Sequence, residues 1–168
     1  QNGFHYIIEE KFPGTSLEEL LAQGKKFTID ESVSIILQLA DALSAIHNRY
    51  IFHRDIKAGN VLYNEHTGTI KLIDFGLAHV MNVGDKNIVK EFVGTFYYMS
   101  PEQAGSIKNA PVDERSDLYS LGILFYQLAT GSLPFKPESS DAIGSLMHQH
   151  VAKIAKAPSV LNNTLPTI

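Results

Sequence analysis

The stretch His53-Arg54-Asp55-Ile56-Lys57-Ala58-Gly59-Asn60-Val61-Leu62 brings a carboxylate, an ammonium and an amide into the six residues from Asp55 to Asn60. An Asp two before a Lys and five before an Asn is too compact for one helix face and too polar for a strand. It reads as a loop that presents all three side chains to one small volume. A carboxylate that takes a proton, an ammonium that holds a phosphate oxygen and an amide oxygen that ligates a hard cation are the parts of phosphoryl transfer. Fourteen residues past Asn60 comes Asp74-Phe75-Gly76, a second carboxylate with a glycine behind it. Taken singly, either Asp more often caps a turn and Lys57 lies in solvent. The set is what points to chemistry.

The flanking elements must deliver these groups to one place. Residues 61–63 and 69–73 read as short strands around Asn64-Glu65-His66-Thr67-Gly68, a hairpin by composition. Such a hairpin folds the chain back so that Asp74 lies beside Asn60. Upstream, Phe4-His5-Tyr6-Ile7-Ile8 has strand character and Pro13-Gly14 signals a turn. Ser16 with Glu19 forms a capping box for a short helix ended by Gly24. Thr28 with Glu31 repeats the signature before a longer helix, whose apolar positions are Val33, Ile36, Leu37, Ala40, Leu43 and Ile46. Residues 77–94 show no periodicity and read as an irregular loop. Residues 116–130 predict a helix that is apolar nearly all round, hence buried, on which every other element packs. Residues 140–155 predict a last helix capped by Ser140 or Asp141, and 158–166 an extended tail. His148 and His150 suggest a metal pair, but residues two apart point to different helix faces, so solvent exposure is expected for both.

Composition narrows the function classes. The 168 residues suit one domain with its own core, and 44% apolar with 19% charged residues is an ordinary globular mixture. A net charge of -4 argues against a nucleic-acid binder that works by neutralising phosphates. The absence of cysteine excludes disulfides and thiolate metal sites and predicts a cytoplasmic protein. No run of about 18 apolar residues predicts a membrane segment. The chain opens at Gln1 without an initiator Met and closes on Thr167-Ile168, which suggests a piece of something longer.

The motif around Asp55 resembles the protein kinase family, whose catalytic loop in its serine/threonine branch is H-R-D-x-K-x-x-N and whose metal-binding motif is D-F-G. Gly94-Thr95-Phe96-Tyr97-Tyr98-Met99-Ser100-Pro101-Glu102 is similar to the family's G-T-x-x-Y-x-A-P-E segment, and Asp117-Leu118-Tyr119-Ser120-Leu121-Gly122 to the D-x-Y-S-L-G of its central helix. The resemblance implies an α+β, mainly helical fold: the large lobe of a kinase with a small β-hairpin carrying the catalytic and metal-binding loops. It implies ATP-dependent phosphorylation of Ser/Thr hydroxyls of a protein substrate. Asp55 would be the base, Lys57 the steadying cation, and Asn60 and Asp74 the Mg2+ ligands. Thr95 would tie the substrate-binding loop to Asp55 and Lys57, and Asp117 would hold the backbone of the catalytic loop. Adenine would meet backbone groups at Glu10 and Phe12 and the apolar floor of Leu62. His53 and Phe75 are expected to pack internally.

Two departures from the family pattern carry information. The Arg54 before the base marks kinases whose activation segment is ordered by a phosphate that the Arg grips. Between Gly76 and Thr95 this chain has no Ser, Thr or Tyr to phosphorylate, and Glu91 stands four residues before Thr95. Glu91 is therefore expected to pair with Arg54 as a built-in substitute, against the plain alternative of a solvated Glu. Further, the family's glycine loop, phosphate-binding strand Lys and partner helix Glu precede the hinge, and the Arg that pairs with the Glu of P-E, here Glu102, lies in later helices. Residues 1–168 thus read as a partial kinase domain running from the hinge, with little activity on its own. The rival readings are a pseudokinase or scaffolding module and a small-molecule phosphotransferase; Lys57 and Thr95 count against the last. In the full-length protein, Glu91→Gln is expected to lower kinase activity, and unchanged turnover would remove the proposed pairing.

Overall fold

A short strand, β1 (Thr15–Ser16), runs directly into helix α1 (Leu17–Ala22), and Ser16 caps it by accepting from Glu19 N–H at 3.2 Å. The computed structural model describes residues 10–74, 94–105, 110–138 and 142–166. The full reciprocal capping box forms one helix later. Thr28 Oγ1 accepts from Glu31 N–H at 3.1 Å and the Glu31 carboxylate accepts from Thr28 N–H at 2.7 Å, which opens α2 (Ile29–His47).

The chain then runs through the 53–60 loop, whose last residues form one 3-10 turn (Ala58–Asn60), into β2 (Val61–Asn64) and β3 (Thr69–Leu72). The expected hairpin is present, with Val61 opposite Leu72 and Asn64 opposite Thr69. Gly68 takes the left-handed conformation its turn requires, at φ +69°, where a side chain would be strained. β1 adds to the other edge of β2 through Thr15 opposite Tyr63, so the sheet order is β1-β2-β3, all antiparallel. Two residues carry too little pattern to have announced β1. The apolar run 4–8 lies outside the described residues.

Helix α3 (Glu114–Thr130) begins with Asp113 as its cap and stops at Gly131, which adopts φ +71°. It starts two residues earlier than its apolar run suggested, because Asp113 accepts from Arg115 N–H at 3.0 Å. Its inner face puts Leu121, Leu124 and Leu128 into one buried cluster with Ile35, Leu39 and Leu43 of α2 and Leu17 and Leu20 of α1. Burying each of these leucines is worth about 1.5–3 kcal/mol. The expectation of a helix buried all round is corrected: Leu118 is 52% and Phe125 36% exposed.

The buried face of α2 also differs from the expected stripe. Ser32, Ile35, Leu39 and Leu43 point inward, whereas Leu37 is 61% and Val33 38% exposed. The consecutive Ile35-Ile36-Leu37 admits two helical phases, and burial of Ser32 is tolerated because its hydroxyl donates to Thr28 carbonyl at 2.8 Å. Helix α4 (Ala142–Ala152) ends three residues before the expected limit, and its suggested caps Ser140 and Asp141 lie outside the described residues. The tail is not wholly extended. One helical turn, α5 (Pro158–Leu161), forms with Pro158 at its start, and Asn162 Nδ2 then donates to Ala129 carbonyl at 2.8 Å.

The outer edge of β3 faces α2, and one side chain spans the gap. Gln38 Nε2 donates to Gly68 carbonyl at 2.9 Å, and Gln38 Oε1 accepts from Ile70 N–H at 3.2 Å. The amide thereby supplies the donor and acceptor that a fourth strand would have offered. Replacing Gln38 by Leu is expected to lower unfolding free energy by about 1–2 kcal/mol in a urea titration, since both backbone groups lose their partner.

Candidate active site

Asp117, at the start of α3, is fully buried, and its carboxylate is the anchor of the loop. Oδ1 accepts from Arg54 N–H at 2.6 Å, while Oδ2 accepts from His53 N–H at 2.9 Å and from His47 Nε2 at 2.8 Å. Two consecutive backbone amides are thus turned onto one carboxylate. Arg54 accepts the left-handed conformation this demands, at φ +64°, a strain of about 1–3 kcal/mol in a non-glycine residue.

His53, fully buried as expected, does more than fill space. Its Nε2–H donates to Ile73 carbonyl at 3.0 Å, a bond that leaves Nδ1 as an acceptor for Asp55 N–H at 3.3 Å. Ile73 N–H in turn donates to Asn60 carbonyl at 3.0 Å. Residue 73 is therefore held to the loop through both its backbone groups, and Asp74 follows at φ +60° with its side chain exposed. The expected hairpin thus sets Ile73, the residue before Asp74, against Asn60.

Lys57 is extended, at φ -156° and ψ 165°, so the side chains of Asp55 and Lys57 share one side of the chain. Lys57 Nζ donates to Asp55 Oδ2 at 2.7 Å and to Thr95 Oγ1 at 2.9 Å. The Thr95 hydroxyl donates to Asp55 Oδ1 at 3.2 Å. The 3-10 turn then carries Asn60 back, and its Nδ2 donates to Asp55 carbonyl at 2.8 Å and to Asp55 Oδ2 at 2.9 Å. Oδ2 is saturated by Lys57 and Asn60, and Oδ1 keeps one acceptor position beside Thr95. The Asn60 amide oxygen is turned away from these bonds. The Asn60 amide oxygen and the Asp74 carboxylate are hard oxygen donors of the kind that suits Mg2+, a cation that takes few protein ligands and fills the rest with phosphate and water. No group of three His, Cys, Asp or Glu suited to a metal occurs among the described residues.

The segment 95–103 is fastened beneath this cluster by bonds that motif reading did not reveal. Ser120 Oγ donates to Tyr98 carbonyl at 2.7 Å, and Gln103 Nε2 donates to Arg54 carbonyl at 2.8 Å. Tyr98 donates its hydroxyl to Gln127 and receives Ala58 N–H, and burial pushes its pKa up to about 12. Glu102 accepts from Ser116 Oγ at 2.6 Å. Burial raises its carboxyl pKa, but bonds from Ser116, its own N–H and Ser100 outweigh this, leaving it below the ordinary value. Gln103 and Ser120 had a sequence signal, Gln103 directly after Pro101-Glu102 and Ser120 within the segment 117–122; Gln127 had none beyond lying on the helix.

The remaining expected positions are partly distant from the cluster. Leu62 is half-buried on the face of β2 opposite Val61 and Tyr63. Phe12 is half-buried, and its carbonyl accepts from Gly14 N–H at 3.0 Å. Glu10 is exposed and its carboxylate pairs with Lys71. The Arg54 guanidinium lies 5.9 Å from the Phe52 ring, and Glu91 lies outside the described residues, as do Phe75 and Gly76. His148 is exposed as expected, but His150 is buried, which corrects the expectation for that residue.

The protein kinase domain family matches residues 1–167. The chain belongs to the protein kinase family. It is 36% identical over 156 residues to the probable serine/threonine-protein kinase PknB of Corynebacterium glutamicum, covering 92% of this chain and 23% of that protein. A probable serine/threonine-protein kinase of Streptomyces coelicolor is 38% identical over 94% of the chain and 23% of its own length. The probable serine/threonine-protein kinase nek2 of Dictyostelium discoideum is 44% identical over 78% of the chain and 32% of its own length. The chain thus spans about a quarter of the length of the first two kinases and about a third of the third. No described helix is long and apolar enough to cross a membrane. In this kinase chain Asp117→Ala is expected to cost about 2–4 kcal/mol of stability, because three donors lose one buried acceptor. Asp117→Asn, which keeps one acceptor oxygen, is expected to fall between the two in urea unfolding.

Proposed function

We propose that the chain is the catalytic-loop portion of a serine/threonine protein kinase that transfers the terminal phosphoryl group of ATP to Ser or Thr hydroxyls of proteins. The observation that carries this reading is the bonding of Asp55. Three donors fix its carboxylate and leave one acceptor position on Oδ1 next to Thr95. A substrate hydroxyl donating there would be oriented, and its proton received, as its oxygen attacks phosphorus. Lys57, already lodged between Asp55 and Thr95, would turn its ammonium to the transferring phosphoryl oxygens. Thr95 sets the distance between the hydroxyl-binding segment and Asp55. Asn60 and Asp74 would hold Mg2+, which when bound neutralises phosphate charge. Backbone groups of Glu10 and Phe12 would meet adenine, with Leu62 as the apolar surface beneath it. The reaction would take place in the cytoplasm, where ATP is available.

The 168 residues contain no G-x-G-x-x-G segment, so the chain on its own supplies the groups for the substrate hydroxyl and few of those that cover the nucleotide. Its isolated activity would accordingly be small beside that of the full-length protein. The rival reading, a pseudokinase or scaffold, predicts no transfer in either form. Asp55→Asn in the full-length protein is expected to lower phosphate incorporation into a serine-containing protein substrate by about 10²–10⁴-fold with little change in ATP affinity. Wild-type full-length protein that binds ATP and Mg2+ without transferring phosphate would instead favour the scaffold.

A further inference from the structure

Among the described residues, His150 is the one buried histidine whose bonds lie outside the loop and its anchor. It sits near the end of α4 at 7% exposure, with its ring edge-on to Phe135 at 4.9 Å. Nδ1 lies 2.7 Å from the Tyr119 hydroxyl of α3, and Nε2 lies 3.1 Å from the carbonyl oxygen of Phe96. The carbonyl can only accept, so the proton resides on Nε2. Nδ1 must then accept from Tyr119, whose hydroxyl can rotate to donate. One tautomer satisfies both contacts. Burial holds the His150 pKa below its ordinary value, partly offset by the Phe96 carbonyl, which keeps this neutral form in place. The Tyr119 pKa is pushed up to about 12, first by burial and then by the Glu102 charge, so its donor proton is retained.

A histidine held only for packing needs a ring of the right size, and Phe would serve. Here both ring nitrogens are used, and one of them grips the backbone of the residue directly after Thr95. We propose that His150 is a positioning residue: through the Phe96 carbonyl it fixes the segment directly after Thr95, and through Thr95 the orientation of Asp55 and Lys57. The consequence for phosphoryl transfer rests on the reading of Asp55 given above. The consequence for the Phe96 segment does not. Helix α4 is suited to the task because the neighbouring Gln149 Nε2 donates to Lys136 carbonyl at 2.6 Å, and Leu146, one turn earlier, is 2% exposed. Position 150 is therefore clamped on its own helix before it reaches Phe96.

The test compares His150→Phe, which keeps ring volume and removes both bonds, with His150→Gln, whose amide N–H can replace Nε2–H. Backbone amide exchange at residues 95–98 is read first, in the full-length protein. His150→Phe is expected to speed it by about three- to tenfold, the worth of one lost hydrogen bond, and His150→Gln to restore part of the difference. Tyr119→Phe, which leaves the imidazole in place but frees its tautomer, is expected to shift exchange in the same direction and serves if His150→Phe does not fold. Steady-state kinetics is read second. The kcat/KM for protein substrate should fall by a similar factor in His150→Phe while the KM for ATP holds, and His150→Gln should recover part of it. Unchanged exchange in every folded variant, or Gln behaving as Phe in both readouts, overturns the assignment. If wild type transfers no phosphate, the kinase reading fails, and the exchange result still decides the role of His150.

Discussion

A single buried carboxylate governs this structure. Asp117 is wholly excluded from solvent, and an ionised group in that position is tolerated only with a full set of donors. It finds them in the amides of His53 and Arg54 and in the His47 ring, which belong to the loop and to α2. The carboxylate therefore does more than cap its own helix. It obliges the chain entering the 53–60 loop to bend through an unfavourable conformation at Arg54, and it couples that bend to the packing of α2 on α3. From there the constraint passes outward through His53 to Ile73 and so to the residue before Asp74. Each acidic group of the site is placed by backbone bonds that lead back to Asp117.

The segment 96–102 is held by a second set of bonds, to α3 and α4. Ser120, Ser116 and Gln127 on α3 and His150 on α4 each take one group from the segment 96–102. Thr95 stands where that segment meets the loop, with its hydroxyl accepting from Lys57 and donating to Asp55. The cluster is thus supported from two directions, by the hairpin on one side and by the helices on the other. Its side chains are held in place by bonds of their own, which is what electrostatic catalysis requires of groups that must not reorganise during the reaction.

How far this was visible beforehand depended on what each residue is selected to do. That Asp55, Lys57 and Asn60 would meet was legible from their compact spacing in a loop, and the hairpin was legible from its turn composition. Thr28 with Glu31 announced its helix because capping is local. The phase of α2 was not legible, since Ile35-Ile36-Leu37 satisfies two faces and only tertiary contact with α3 selects one. The tail hid a helical turn because a Pro reads as a breaker when it stands inside an element and as a starter when it opens one. His150 escaped for a different reason: its partners are a carbonyl 54 residues away and a tyrosine on another helix. No local pattern encodes a bond to a distant backbone oxygen.

The Gln38 amide that bridges α2 and β3 bears on association as well as on stability. An open strand edge is a template on which a second chain can add, and small sheets are exposed to that hazard during folding and at high concentration. At β3 the donor of Ile70 and the acceptor of Gly68 are already engaged by a side chain of the same molecule. A neighbouring strand would have to displace Gln38 before it could pair there. The residue that steadies the hairpin carrying Asn60 and Asp74 also guards the molecule against edge-to-edge self-assembly.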